Sequence, residues 1–524
     1  MRYAELWAAR PSAWDCAAAA WRPVTALLRR RAAEVTGVAA GLAPDWTGAA
    51  AGAARDGIGR TARDLAGTAS LGIEVDQILA EYASRLATAK ARLTAAVARQ
   101  PATGIHLDRD GGVRAEPGAD PPTRRLAAEM AAGIGAALAL AGAADREAAA
   151  RLAALTTAIA DGWSTPPPSY RPPPGASPQL ARLWWDGLSA AQRRWLVNHE
   201  PELVGGLDGI PADARDQANR LLLDAHRRRL LEQRLRLSAQ APLDPLETAA
   251  LLRLDARIRG LASVADRLGD DAAPRAYLLG LASAGDGRAV VALGNPDRAA
   301  NVVTYVPGMT SELGSIDREL TRAERLAVRC AELEPATGTS VLLWLDYDAP
   351  DFLGEGTRDA HATAAGPALH RFQEGLRLTH EGPPAHQTVL GHSYGSLVVG
   401  AAARDHGLAA DALVFVGSPG VGVDHAAALR IEPDRVFSAL AADDAVRHAR
   451  PVRDLVGAAG GPLVPLAEAW LGQREDRLWF GRNPADPDFG GQTFASTPDG
   501  HSGYWNAGNP ALDAMARIAL GGRP

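Results

Sequence analysis

The chain has 524 residues, 47% of them hydrophobic, and a net charge of −6. That length exceeds one ordinary core, the apolar content excludes a disordered chain, and mild acidity without a long basic block excludes a dedicated nucleic-acid binder. Two cysteines, Cys16 and Cys330, exclude a disulfide framework and a cysteine-rich metal site.

The opening segment MRYAELWAARPSAW carries Arg and Glu where a secretory signal needs an unbroken apolar stretch. No run of about eighteen purely apolar residues follows, so no transmembrane segment is expected. The expected location is cytoplasmic, or outside the cell by a non-classical route. Residues 1–100 read as a helical hairpin: one helix over Pro11–Gly41 and one over Ala49–Arg99, the second with Ile58, Leu65, Ile73, Ile78, Leu79 and Leu86 on its apolar positions. Asp45 suits an N-cap and Gly48 a turn between them. Trp46-Thr47-Gly48 at this bend resembles the WxG family of small helical-hairpin proteins linked to type VII secretion. The resemblance implies a type VII-like export route and a helical-hairpin protein as partner. Members often carry Tyr-x-x-x-Asp/Glu after the second helix; here Leu86 follows Tyr82 at that spacing, which puts the export signal in question.

Residues 101–178 form a second region. Gln100–Pro122 is rich in turn residues, 123–161 is an alanine-rich helix or helix pair, and Ser164–Pro178 is a proline-rich linker. Residues 179–285 return to helix, with Trp184, Trp185 and Trp195 to bury and the turn-rich run GLDGIPADARDQAN leading into a further helix. This stretch reads as a helical platform for the region after it.

From 286 to 524 the pattern changes. β-Branched and aromatic runs at 288–293, 301–306, 339–347, 387–391, 411–417 and 435–441 alternate with helical stretches at Leu313–Leu333, Ala360–Leu378 and Ser396–His406. Short apolar strands separated by helices imply an α/β fold, a mostly parallel sheet covered on both faces, preceded by all-α regions.

The run QTVLGHSYGSLVVGAAA places Ser393 between a strand and a small-residue helix, flanked by Gly391 and Gly395. A serine on such a sharp turn exposes its hydroxyl at the carboxyl edge of the sheet, and the turn brings backbones together where only small residues fit. This G-x-S-x-G arrangement is the nucleophile elbow of α/β-hydrolases. A serine hydroxyl needs a base, and the base an orienting acid, in chain order Ser, Asp/Glu, His. His501, in a loop before the terminal helix, is the expected base. His448 shares a short helix with the acid candidates and has little freedom to bridge them. Asp443 and Asp444 both follow the strand at 435–441; one would face the histidine and the other cap the next helix, with Asp444 preferred. The oxyanion would take the backbone N–H of Tyr394 and a second from the loop TYVPGMTSELGS, assigned to Met309. No metal constellation, phosphate loop or cofactor is expected.

The series VPGMT, LWLDYDAP, VLGHSYGS, VFVGSPG, DPDFGGQTF and GHSGYW, with LWWDGLS and LDGIPADARDQAN before it, resembles an actinobacterial α/β-hydrolase family of unknown substrate whose members often follow a WxG-type hairpin. The resemblance implies Ser393 as nucleophile, Asp444 as acid and His501 as base. Asp346 stands where glycine is expected, and Asn483 where aspartate is usual. The reading is a serine hydrolase for a small-molecule ester or acyl substrate. An acyltransferase with the same triad and a type VII-associated interaction protein are its alternatives.

Overall fold

The computed structural model describes residues 1–41, 46–99, 104–161, 168–240, 242–270, 274–448 and 477–524. They fall into two units. The first comprises Met1–Ser169, Ser189–Glu200 and Gly269–Arg275; the second comprises Tyr170–Leu188, Pro201–Leu268 and Ala276–Pro524.

Unit one is almost all helix: α1 Tyr3–Ala8, α2 Pro11–Ala19, α3 Trp21–Gly41, α4 Ala49–Ala98 and α5 Pro121–Asp161. The helix expected over Pro11–Gly41 is therefore two helices parted at Ala20. Pro23 explains the break: proline has no N–H to bond a carbonyl four residues back, so it is tolerated only in the first turn of a new helix. Asp45 lies outside the described residues; Gly48, at φ 102°, is the N-cap of α4. Tyr82, Leu86 and Leu93 of α4 pack on Ile134, Ala137 and Ala141 of α5. Alanine gives α5 enough length and apolarity to cross a membrane by composition alone, although only a third of that stretch is buried. A search for bulky aliphatic runs overlooks such a helix. The expected loop before α5 holds a small antiparallel pair, β1 Ile105–Leu107 and β2 Val113–Ala115. Two later segments complete the unit. Arg194, on α7 (Ala190–His199), reaches Glu74 at 3.4 Å, and Arg275 pairs with the buried Asp76 at 2.6 Å.

Unit two begins with α6 Pro178–Asp186, α8 Pro201–Gly206, α9 Ala212–Ser238 and α10 Pro245–Gly269. Its main sheet comprises β3 Ala276–Ala282, β4 Arg288–Leu293, β5 Asn301–Val306, β6 Thr339–Leu345, β7 His386–His392, β8 Ala412–Val416, β9 Val436–Ala439 and β12 Gln492–Thr493, while β10 Arg477–Leu478 and β11 Gly481–Arg482 pair with each other. The strand order is β12-β9-β8-β7-β5-β6-β4-β3. All pairs from β12 to β6 are parallel, and only β4 runs against its neighbours. β3 lies within the stretch read as all helix, since AYLLGLA is a short continuous apolar run whose periodicity does not separate strand from buried helix.

Side chains alternate across the sheet. Val291, Tyr305, Leu343, Leu390 and Val414 face α10, α11 (Ile316–Leu333) and the terminal helix α15 (Pro510–Ala519). Val290, Val302, Trp344, Val389 and Phe415 face α13 (Ala360–Thr379) and α14 (Tyr394–His406).

The run LDGIPADARDQAN proves to be a docking device. At the start of α9 the Ala212 N–H donates to Asp297 Oδ2 at 2.6 Å, and Thr379 Oγ1 donates to Asp297 Oδ1 at 2.5 Å. Asp213 pairs with Arg298 at 3.1 Å. Asp216, fully buried, accepts the Leu278 N–H and Arg220 Nε, both at 2.8 Å, and Arg220 Nη2 donates to the Ala276 carbonyl. The polar residues of this run thus satisfy backbone and charge along β3, holding α9 beside it.

Candidate active site

β5 connects through α11 to β6 on one side, whereas β7 lies on its other side. This reversal opens a crevice at the carboxyl edge between β5 and β7, where ligands settle in open α/β sheets. Ser393 stands at that edge, between the end of β7 and the start of α14, with φ 53° and ψ −128°. Such a conformation costs a non-glycine residue about 1–3 kcal/mol and persists only where its surroundings enforce it. Here they do. A Cβ at Gly391 would lie 2.6 Å from Ser396 Cα, and one at Gly395 would lie 2.2 Å from the Val306 carbonyl oxygen. The Ser393 N–H donates to the Val416 carbonyl at 3.1 Å.

The loop after β5 passes directly beside this turn. A Cβ at Gly308 would fall 2.6 Å from Ser393 Cβ and 3.1 Å from its Oγ. Two residues on, Thr310 holds φ 62°, and its N–H donates to the Pro350 carbonyl at 2.9 Å. The Tyr347 hydroxyl donates to the Pro307 carbonyl at 2.7 Å, with the Gly308 carbonyl at 3.3 Å. A planar trans peptide then directs the Met309 N–H away from Tyr347. Met309 also lies under the short helix α12, Leu353–Gly356, where a Cβ at Gly356 would meet its sulfur at 2.6 Å. The Tyr394 N–H, in the first turn of α14, belongs to the donors a helix leaves unbonded.

Asp444 and His501 meet across 57 residues of sequence: His501 Nδ1 lies 2.9 and 3.0 Å from the two carboxylate oxygens. Asp444 is buried, and its carboxylate also accepts the Tyr504 hydroxyl at 2.6 Å and the Val446 N–H at 2.9 Å. Burial alone would raise its pKa, but the hydrogen bond and charge of His501, with Tyr504 and Val446, hold the carboxyl below its ordinary value. The expected division of labour between the two aspartates differs in the structure. Asp444 both faces the histidine and caps the short helix at Ala445–His448, while Asp443 accepts the Gly500 N–H and ties down the loop before His501.

Gly417 connects the pair to the serine. A Cβ there would lie 3.0 Å from Asp444 Oδ2 and 3.1 Å from His501 Cε1. The imidazole therefore lies against the end of β8, the strand whose Val416 is in register with His392. Among the described residues no hydrogen bond joins Ser393 Oγ to His501, a contact that often tightens only when substrate binds.

No motif in the sequence assigns His392 a role. It is 4% exposed, its ring centroid lies 4.8 Å from that of His501, and its Nε2 is 2.9 Å from the His501 carbonyl oxygen. That acceptor makes Nε2 the protonated nitrogen; Nδ1 is buried without a partner. Burial, with His501 and Arg322 nearby, pushes its pKa far below the ordinary value, so the ring is neutral. Its place before Ser393 in the GHS run marked it, but nothing in the spacing paired it with residue 501. Of the two departures, Asp346 Oδ1 faces Arg288 at 3.9 Å and Asn483 Oδ1 accepts the Ala485 N–H at 3.0 Å. Among the described residues no group of three or more His, Cys, Asp or Glu side chains could hold a metal ion.

A family model described as Alpha/beta hydrolase matches residues 283–454. Uncharacterized protein Rv2079 of Mycobacterium tuberculosis is 32% identical over 384 residues, 68% of this chain and 57% of that one. The chain thus spans little more than half the length of that relative. Uncharacterized protein Mb0988c of Mycobacterium bovis is 32% identical over 196 residues, 36% of this chain and 73% of that one. A solved esterase of Pyrobaculum calidifontis covers 55% of this chain and 96% of its own, but at 15% identity and a TM-score of 0.30 it is too distant to weigh. With the mycobacterial relatives, the chain belongs to a family built around an alpha/beta hydrolase domain.

Proposed function

We propose that the protein is a serine hydrolase of esters or related acyl compounds, with Ser393 as nucleophile, His501 as base and Asp444 as the acid that orients it. The observation that carries the reading is the Asp444–His501 pair lying against Gly417, directly after the strand that neighbours the strained Ser393. His501 takes the Ser393 proton as Oγ attacks the acyl carbon, and the carbonyl oxygen becomes an oxyanion facing the N–H groups of Tyr394 and Met309. The C–O bond to the leaving alcohol breaks as His501 returns the proton to it. Water, deprotonated by the same imidazole, then releases the acid from the acyl-serine. Asp444, kept ionised, holds Nδ1–H and leaves Nε2 as the basic nitrogen.

A fluorophosphonate probe tests this directly: the wild-type chain should label at Ser393, and Ser393→Ala should not. Absence of labelling in the wild type would overturn the assignment. An ester panel of graded acyl length defines the substrate. Added alcohols distinguish hydrolysis from transfer, because a transferase forms the new ester faster than the free acid. A partner-binding role for unit one is favoured by Trp46, 41% exposed beside the N-cap of α4. A co-purifying helical-hairpin protein lost on Trp46→Ala would support it, and with it a type VII-like export route.

A further inference from the structure

We propose that the α9–α10 hairpin is an arm that docks unit two on an anionic lipid surface and presents the carboxyl edge of the sheet to it. β3 runs parallel to β5 and β7, since two antiparallel steps separate it from β6. The end of β3 therefore marks the same edge as Ser393. α9 follows β3 in the same direction: Asn219 Nδ2 donates to the Leu278 carbonyl, and by His226 the helix has reached Ser283, where Nδ1 lies 2.5 Å from Oγ. α10 returns at that level, with Arg257 Nη1 donating to the carbonyls of Ser283 and Gly285. Residues 227–238 and 245–256 hence overhang the edge. Twelve helical residues project about 18 Å.

The overhang closes on an inner seam containing Leu230 and Leu254, 2% and 7% exposed. Its outer surface does not need further apolar residues, yet Leu231, Leu235, Leu246 and Leu252 are 38%, 66%, 80% and 64% exposed. Beside them, Arg227–Arg236 holds five arginines and one glutamate in a chain of net charge −6. Arg234 and Arg236 pair with Asp255 and Glu232. Arg227, Arg228 and Arg229 are exposed, with no ion pair among the described residues. Exposed leucines along the overhang, with the unpaired arginines at its base and Asp244 and Glu247 flanking Leu246, supply the chemistry of interfacial insertion: leucine enters the headgroup boundary while arginine draws on anionic lipid. Lipid docking rests on the arm alone, and only the use of the edge it presents rests on the hydrolase reading.

The test is sedimentation of the full chain with vesicles of phosphatidylcholine and phosphatidylglycerol in equal parts, against vesicles of phosphatidylcholine alone. The mixed vesicles should bind at least tenfold more tightly. Arg228→Glu with Arg229→Glu should weaken binding by at least the roughly fivefold expected per charge. Leu235→Ser with Leu246→Ser should weaken it about tenfold or more. Neither pair should change the thermal midpoint, and where the wild type labels with fluorophosphonate, both variants should label equally. No binding by the wild type, or variants that bind as well as it does, overturns the inference. So does loss of self-association on gel filtration with vesicle binding intact, which would assign the face to a second copy or another protein. Vesicle binding without labelling of the wild type upholds the arm and fails the hydrolase reading alone.

Discussion

Unit two contains two dense buried polar clusters, and they are built on opposite terms. The cluster around Asp297, Asp213, Asp216 and Arg220 joins α9 to the sheet, and its carboxylates are bonded to backbone amides, hydroxyls and guanidinium groups. Along its backbone the positive φ angles fall on glycines, Gly209 and Gly294. The cluster around Ser393 and His501 holds two non-glycine residues at positive φ, Ser393 and Thr310, and a buried imidazole nitrogen on His392 without a partner. Both carry motifs dense in polar residues, so motif density does not separate them. Enforced strain on non-glycine residues does, since Arg215 of the docking run also keeps a buried nitrogen without a partner.

This contrast is open to direct attack. Ser393→Ala should abolish labelling and lower ester turnover by about 10⁴-fold or more, and Asp444→Asn should lower it by about 10³–10⁴-fold, with melting little changed in either. Asp216→Ala should do the reverse. Leaving Arg220 buried and the Leu278 amide unbonded costs about 3–5 kcal/mol, read in denaturant midpoints, while turnover per folded molecule stays constant. If Asp216→Ala instead lowered turnover in a folded chain, the division between the clusters would fail.

A finer test is His392, a positioning residue acting through the His501 carbonyl. His392→Phe should lower kcat by up to about 10²-fold with little change in KM. His392→Gln, which retains a donor, should recover most of that loss. Equal losses in both would mean that packing rather than the hydrogen bond holds residue 501.

The smallest expected effect concerns pH. Burial, despite the bonds from Thr379 and Ala212, raises Asp297 to about 7. An unfolded aspartate titrates near 3.9, so between roughly pH 4 and 7 the native state binds the extra proton. Its contribution to stability is therefore complete below about pH 4 and is lost as pH rises through about 7. Asp297→Asn should remove this part of the decline, seen as a smaller difference in thermal midpoint between pH 5 and pH 8.

Much of the sheet could be read from the sequence because β-branched runs such as NVVTYV sit between amphipathic helices. β3 could not, since AYLLGLA becomes a strand only once Leu278 has Val291 to pair with and Asp216 to accept its N–H. At the candidate site, Gly391 and Gly395 identified the turn at Ser393 because sterics act locally there. Gly308, Gly417 and Tyr504 were invisible for the opposite reason: each matters through a neighbour dozens of residues away. The docking role of LDGIPADARDQAN is hidden likewise, its partners lying on β3 and at Asp297 and Arg298.

Unit one does not end where the proline-rich linker begins. It reclaims Ser189–Glu200 and Gly269–Arg275 from beyond that point. Severing the chain near residue 170 would accordingly not release a self-sufficient second unit. The leftover fragment would carry Leu196 and Val197 stripped of their cover, and an arginine at 275 bereft of the aspartate that neutralises it. Proteolytic or genetic trimming of the helical half should therefore leave a remainder that unfolds at lower denaturant than the full chain does.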